Sequence, residues 1–337
     1  MKSIKGRTFL LIGGAGFIGH NLALEMKKKG ANVVIVDGLQ VNNFLSFHSA
    51  ESKGTNSELY LKILNQRLNL IRKHDIPLYI LDCRDYHGLS RLFNKIKPDT
   101  VFHLAAVAHA SRSNKDPYTT FDHSFRTLEN ALDSSRDRID HFIYFSSSMV
   151  YGHFKGGFVT EDTLCEPIGI YGALKYSGEK LVIAYNQVFD LPYTIIRPSA
   201  LYGERCVSRR VGQIFIENIM QNSEIIINGD GNDRLDFTYI KDLVNGLIKV
   251  AETEESKGEI FNLTYGKSRS LNDMINILNQ YYDNINVQYI PKDKLTPDRG
   301  TLCIDKAKRI IGYQPEYPLE KGFTEYIQWY KNFFAMK

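Results

Sequence analysis

Tyr171 and Lys175 stand four residues apart in the stretch Tyr171-Gly172-Ala173-Leu174-Lys175. On a helix that spacing puts both side chains on one face. A lysine ammonium beside a phenol lowers a pKa that otherwise lies near ~10, which makes the phenol a usable proton acceptor near neutrality. In a chain with 20 tyrosines such a pair arises by chance, so its position has to carry the reading. It follows the fifth predicted strand and precedes the sixth. That fifth strand runs into Ser146-Ser147-Ser148-Met149-Val150-Tyr151-Gly152. A serine hydroxyl at such a strand end can bond the same substrate oxygen that Tyr171 deprotonates. A merely polar strand end is the plain alternative.

A second constellation lies at the start of the chain. Gly13-Gly14-Ala15-Gly16-Phe17-Ile18-Gly19 follows an apolar run and leads directly into a helical pattern. Gly13 and Gly16 permit a tight turn and close approach of a pyrophosphate to a helix N-terminus, and Gly19 lets that helix pack on the strand. The next strand, VVIVDG, ends in Asp37. Its carboxylate can accept both ribose hydroxyls of NAD and repels the additional phosphate of NADP. The expectation is an NAD site whose nicotinamide charge further favours the Tyr171 phenolate. A strand-end cap is the alternative role for Asp37.

These residues need strands and helices to position them. Thr8–Ile12, Val33–Val36, Leu78–Leu81, Thr100–Leu104, Phe142–Phe145 and Tyr193–Ile196 are short, β-branched or aromatic and almost continuously apolar, as strands covered on both faces are. Helical spacing fills the intervals between them. The reading is α/β: a Rossmann-type doubly wound parallel sheet over residues 1–198. The interval from Asp37 to Leu78 is too long for a bare loop. It predicts a helical insertion over about 42–76, with a helix at Ser57–Lys73 capped by Asn56 or Ser57, beside the cofactor's adenosine end. Residues 199–337 read as a smaller, mainly helical substrate lobe, with some chain crossing between the two. Its predicted helices are Val211–Asn222, Ile240–Thr253, Leu271–Asp283, Asp305–Ile311 and Leu319–Phe333, and its short strands Glu224–Ile227, Ile260–Leu263 and Asn286–Tyr289.

The chain has 337 residues, 43% hydrophobic and 24% charged, which excludes a disordered chain. A net charge of +4 gives no case for nucleic acid. Cys83, Cys165, Cys206 and Cys303 show neither a CxxC pair nor zinc-ligand spacing, so no metal is expected and the thiols read as free in a reducing compartment. The apolar stretch at the N-terminus is too short for a signal-peptide core or a membrane span. The expected location is cytoplasmic, without membrane contact.

GGAGFIG, the DG after strand two, HLAA at His103–Ala106, SSSMVYG and YGALK occur here in the order and spacing of the extended short-chain dehydrogenase/reductases. The chain resembles the NAD-dependent nucleotide-sugar epimerase/dehydratase family. RPSALYG at Arg197–Gly203, GDGNDRLDFTYIKD at Gly229–Asp242 and DKAKRIIGY at Asp305–Tyr313 extend the likeness over almost the whole chain. The resemblance implies that Ser147, Tyr171 and Lys175 are catalytic, with Tyr171 the base. It implies that Gly13, Gly16, Phe17, Ile18, Gly19, Asp37, Asp82, Cys83, Leu104, Ala105, Ala106, Pro198, Tyr171 and Lys175 bind NAD, Asp82 by contacting adenine. It further implies a nucleotide-diphosphate sugar as substrate and a homodimer built on the Phe121–Ser135 and Tyr171–Asp190 segments.

Family dehydratases carry an Asp-Glu pair directly after the catalytic Thr, and the decarboxylases keep the Glu. Here those positions are Ser148 and Met149, and a thioether cannot exchange protons. What remains is transient oxidation to a keto sugar with return of the hydride: an epimerase, most often acting at C4. A sugar 4-dehydrogenase or 4-keto reductase stays open, dehydratase or decarboxylase chemistry less so, and a non-catalytic NAD-binding regulator is disfavoured by the intact catalytic residues. Three positions depart from the family: Ala200 where Asn is usual, Arg234 shifted one place, and His123 for a helix Asn near the nicotinamide. Arg205, Arg209, Arg210, Arg234 and Arg299 are candidates for the diphosphate, since a guanidinium binds such an anion in bidentate fashion. Ser148, Met149 and His109, with its neighbours through Lys115, complete the candidate substrate contacts.

Overall fold

The structure is a computed structural model that describes residues 2–40, 47, 56–107, 110–292 and 296–335, residues 110 and 111 by backbone alone. Its centre is a seven-stranded parallel sheet. The strands are β1 (Thr8–Ile12), β2 (Asn32–Asp37), β3 (Leu78–Ile80), β4 (Thr100–His103), β5 (His141–Phe145), β6 (Tyr193–Arg197) and β7 (Glu259–Asn262), in the order β3-β2-β1-β4-β5-β6-β7. Every pairing is parallel. The order reverses between β1 and β4, which opens a crevice at their carboxyl ends. The short strand expected at Ile260–Leu263 thus joins the main sheet as its seventh member, pairing with β6.

The core divides along the faces of the sheet. Phe9 and Leu11 of β1 face one way and meet α1 (Phe17–Lys28) and the C-terminal half; Leu10 and Ile12 face the other. There they meet α3 (Tyr86–Ile96), α4 (Thr127–Ser135) and α5 (Gly169–Phe189), through Leu89, Phe93, Leu128, Leu132 and Val182. All five residues of β5 and of β6 are buried, and each buried Leu, Ile or Phe adds roughly 1.5–3 kcal/mol. The alternation of faces explains why these strands read as unbroken apolar runs.

The insertion contains α2 (Ser57–Lys73) at the expected bounds. Asn56 occupies the cap position but makes no side-chain cap bond; its amide instead donates to Glu217, 2.8 Å away. In the C-terminal half α6 (Val211–Met220), α7 (Ile240–Glu252), α8 (Leu271–Leu278), α9 (Asp305–Ile311) and α10 (Leu319–Ala335) follow the predicted sequence. Helix α8 stops five residues earlier than expected, where Tyr281 and Tyr282 both turn their N–H groups back onto the Leu278 carbonyl. The strands Ile225–Asn228 and Val287–Ile290 pair with each other in parallel. Among the described residues no helix is long and apolar enough to cross a membrane.

Candidate active site

A cleft of about 520 Å³ opens at the switch point and is lined by Gly13, Gly16, Phe17, Asp37, Leu104 and Ala105, among others. Its floor is bare backbone. Gly13 has φ +76, and a Cβ there would lie 2.7 Å from the Ala105 nitrogen. A Cβ on Gly19 would lie 2.5 Å from the Gly14 Cα, so the third glycine serves helix packing. Helix α1 starts at this turn without a side-chain cap or an acidic residue in its first turn, which leaves its amides and dipole for an anion. Asp37 closes the far side. Its carboxylate accepts from the Ala15 N–H at 3.0 Å and the Leu39 N–H at 2.7 Å, and burial pushes its pKa up against those bonds. The residues present fit a dinucleotide: a glycine cradle for pyrophosphate and a buried acid at the ribose position.

Ile18, Gly19, Asp82, Cys83 and Ala106 line the same cleft, so the expected cofactor residues of the glycine turn and of strand ends two to four converge there. Asp82 is held by Arg84 Nη2 at 2.6 Å and Gln40 Nε2 at 3.1 Å, and Arg84 in turn binds Asp122 at 2.6 Å. The Arg84 contact keeps the Asp82 carboxyl well below the usual range. Sequence reasoning missed Arg84 and Gln40, because a bridge between two loops has no local signature. From the insertion, Asn56, Ser57 and Tyr60 reach the cleft. His123 also lines it, from a single π-helical turn at Asp122–Arg126 that the sequence did not announce; such turns recur at functional sites.

The proton-transfer candidates lie at the end of β5 and on α5, beside the end of β6. Ser147 follows β5 and caps the short turn Ser148–Tyr151; its Oγ accepts from the Met149 N–H at 3.2 Å. Among the described residues it donates to nothing, so its proton remains available. Tyr171 sits in the first turn of α5, and the backbone N–H of its neighbour Ile170 donates to Asn114 Oδ1 at 3.0 Å. Asn114, expected as a possible substrate contact, therefore positions the helix that carries the tyrosine. One turn on, Lys175 is buried, with its Nζ donating to the Phe145 carbonyl at 2.6 Å and lying 5.3 Å from the Tyr144 ring. Burial lowers its pKa to about 8, with Glu179 opposing.

A brace the sequence reading did not foresee holds these ends in register. Glu179 and Arg197 form an ion pair at 2.7 Å that is 1% and 3% exposed. Glu179 also accepts from Ser146 Oγ, and Arg197 Nη1 donates to the Tyr151 hydroxyl at 2.9 Å. Helix α5 is tied in this way to the last residue of β6 and to the serine beside Ser147. The signal was the face that Lys175 shares with Glu179, four residues on.

The candidate substrate residues separate into groups. Arg209 and Arg210 line the cleft together with Val207 and Ser208. Arg205 is turned away, donating to His20 Nε2 and Asn21 Oδ1, and braces α1. Arg234 is exposed and donates to the Ser268 carbonyl at 2.7 Å. Arg299 comes in from the C-terminal half to Ser148, Met149 and Ser199. The Pro198 carbonyl accepts from the Ser148 N–H there, and Pro198, expected at the cofactor, is not among the residues that line the cleft. His109 lies outside the described residues. Among the described residues no group of three His, Cys, Asp or Glu side chains is arranged to hold a metal.

Comparison with known proteins fits this geometry. The model of the NAD dependent epimerase/dehydratase family matches residues 9–264. The chain is similar to YtcB of Bacillus subtilis (strain 168), described as an uncharacterized UDP-glucose epimerase, at 31% identity over 94% of this chain and 96% of that one. It is 27% identical to a UDP-glucuronate 4-epimerase of Thermodesulfobacterium geofontis, over 96% of each. A solved UDP-glucuronic acid 4-epimerase from Bacillus cereus, in complex with UDP-glucuronic acid and NAD, superposes with a TM-score of 0.84 at 27% identity, covering 96% of this chain and 99% of that one.

Proposed function

The chain belongs to the NAD-dependent epimerase/dehydratase family, and from that premise we propose that it epimerises a UDP-sugar at C4. The observation that carries this reading is the site's proton inventory. Tyr171 and Lys175 lie one turn apart on α5, which packs through Gly172 on the turn that Ser147 caps, while the two positions after Ser147 offer only a hydroxyl and a thioether. A proton can be exchanged with one sugar hydroxyl, and Ser148 and Met149 supply no second acid–base pair to expel water. The relatives named above, which act on UDP-glucose or UDP-glucuronate according to their descriptions, support the nucleotide and the carbon.

In this reading Ser147 donates its free hydroxyl proton to O4 and holds it against Tyr171. Tyr171, as phenolate, accepts the O4 proton, and the same oxygen later takes it back. Held by the glycine turn and Asp37, NAD would supply the acceptor, and afterwards the donor, of the C4 hydride. Lys175 keeps a positive charge beside the phenolate. Asp37 would hold the adenosine ribose, Asp82 the adenine, and the α1 N-terminus the pyrophosphate. Arg209 and Arg210 supply cationic charge for the UDP diphosphate. Between the two hydride transfers the keto sugar turns over in the site, so no co-substrate is consumed.

We further assign a homodimer, supported by exposed Phe121 (45%) and Val188 (69%) on the segments expected at the interface. The four free thiols agree with a cytoplasmic location. The test is NMR of UDP-sugars incubated with enzyme and catalytic NAD. An equilibrium mixture of two C4 isomers with no lasting absorbance near ~340 nm is expected. Stoichiometric NADH would point to a dehydrogenase, and a 4-keto-6-deoxy product to a dehydratase.

A further inference from the structure

We propose that Tyr144 is a positioning residue for the proton-transfer pair: the face of its ring seats the Lys175 ammonium, and its hydroxyl keys helix α5 to the sheet at Gly178. This inference rests on the C4-epimerase reading, which gives the lysine's charge its use.

Tyr144 belongs to β5 and is buried against α5. Lys175 Nζ lies over its ring, 5.3 Å from the centroid. The Tyr144 hydroxyl reaches further along the helix and donates to the Lys175 carbonyl at 3.4 Å. It has room there because the residue at 178 is a glycine. A Cβ on Gly178 would run into the Tyr144 hydroxyl and stand 2.8 Å from its Cζ. One side chain thus meets α5 twice, at the Lys175 ammonium and at the backbone beside Gly178. His103, its register partner on β4, stacks on the ring with centroids 6.1 Å apart and planes 22° apart. Neither ring nitrogen of His103 has a hydrogen-bond partner among the described residues, so the imidazole serves there as a flat support.

What the ring does follows from the surroundings of the ammonium. Nζ donates to the Phe145 carbonyl at 2.6 Å. Glu179 is the acid whose charge reaches it, and that carboxylate is already engaged by Arg197 and Ser146. His103 adds no charge, since burial, with the lysine's own charge second, lowers its pKa to about 3. Tyr144 stays a neutral phenol, because burial and the charges of Glu179 and Tyr171 push its pKa up. The negative face of its ring then compensates a cation that burial disfavours. Without the ring the ammonium would keep its burial and lose part of its stabilisation, so it would give up its proton at lower pH. A neutral Lys175 could not hold Tyr171 as phenolate.

The test measures kcat/KM for UDP-glucose and UDP-glucuronate from about pH 6 to 10, with the NAD-loaded wild type, Tyr144→Phe and Tyr144→Met. Phenylalanine keeps the π face, and methionine fills the space without one. In Tyr144→Met the alkaline limb should move down by about one pH unit, the scale of a desolvated cation–π contact. For a limb near 8 that lowers kcat/KM by about twofold at pH 7 and about tenfold at pH 9. Tyr144→Phe should keep its limb within about 0.3 unit of wild type. The same shift should appear in NAD-free protein without substrate. There, the urea-unfolding difference between each protein and its Lys175→Met counterpart should begin its rise with pH about one unit lower for Tyr144→Met than for wild type. Gly178→Ala should slow turnover by about tenfold or more with tyrosine at 144, and by at least about threefold less with Tyr144→Phe beside it, where the oxygen that the new methyl meets is gone. This pair tests the key directly if Tyr144→Met does not fold. A limb that stays in place in Tyr144→Met, or moves as far in Tyr144→Phe, would overturn the seat. A Gly178→Ala effect of the same size in both backgrounds would overturn the key. If neither sugar is epimerised, the C4 reading fails, while the unfolding series still decides whether the ring seats the ammonium.

Discussion

Replacing Lys175 by Met should change how the stability of the NAD-free protein depends on pH. Lys175 is 7% exposed, and its ammonium has one carbonyl and one aromatic face for company. Burial lowers its pKa from 10.5 to about 8. Between those two values the unfolded chain holds a proton that the folded chain has lost, so wild-type stability rises with pH across that window. Below about 8 both states are protonated and the full cost of the buried charge is present. Above the unfolded value neither state is charged. At ~1.36 kcal/mol per pKa unit, the gain over the window is about 3 kcal/mol. Methionine removes the titration while keeping an unbranched chain of similar length. Urea unfolding of both proteins at half-unit steps from about pH 7 to 10.5 isolates the effect, because other titrating groups cancel in the difference. The wild-type advantage should be flat at first and then climb by about 3 kcal/mol. A difference that stays constant to the end of the range would mean that Lys175 is not a desolvated cation, and its proposed role beside the Tyr171 phenolate would lose its basis.

Tyr171→Phe should lower turnover by ~100- to 10,000-fold, with NAD affinity and melting temperature nearly unchanged, since only the acid–base group is removed; turnover above about a tenth of wild type would place the base elsewhere. Asp37→Asn should narrow the preference for NAD over NADP by about tenfold, read as a ratio of Kd values by calorimetry. It should also cost stability, because the carboxylate anchors the Ala15 and Leu39 amides. Glu217 accepts from Asn56, Tyr60, Gln213 and Tyr330 and so ties the insertion to the C-terminal half. Glu217→Leu leaves those donors buried and unpaired and should cost at least about 3 kcal/mol in urea unfolding, with faster hydrogen exchange in Ser57–Lys73.

The central sheet was legible because its strands are buried on both faces and therefore appear as apolar runs between helical intervals. The glycine turn was legible for a stereochemical reason: no other residue fits at Gly13 or Gly19, where a Cβ would meet backbone at 2.7 and 2.5 Å. Helix α2 could be read because a gap of that length requires structure and its leucines keep helical spacing. The fate of its cap was not legible. Asn56 is a good capping residue, yet its side chain serves Glu217, 161 positions away, and local preference yields to a buried carboxylate that needs donors. The membership of Glu259–Asn262 in the main sheet was equally hidden, because an edge strand is identified by the neighbour it pairs with.

The arginines show where reading residues one at a time stops. Five were candidates for one anion, and sequence alone could not separate them, since a lone arginine is by default a solvated surface group. Folding separates them by what each meets. Arg205 finds His20 and Asn21 and becomes a brace, Arg234 finds Ser268 at the surface, and Arg209 and Arg210 line the cleft. Arg299 is carried across 151 positions to Ser148. Its partners come from two different strand ends, so no local motif could encode the contact. The reaction type of this site is therefore read from the residues that exchange protons, whereas its anion contacts are read only from the fold that gathers them.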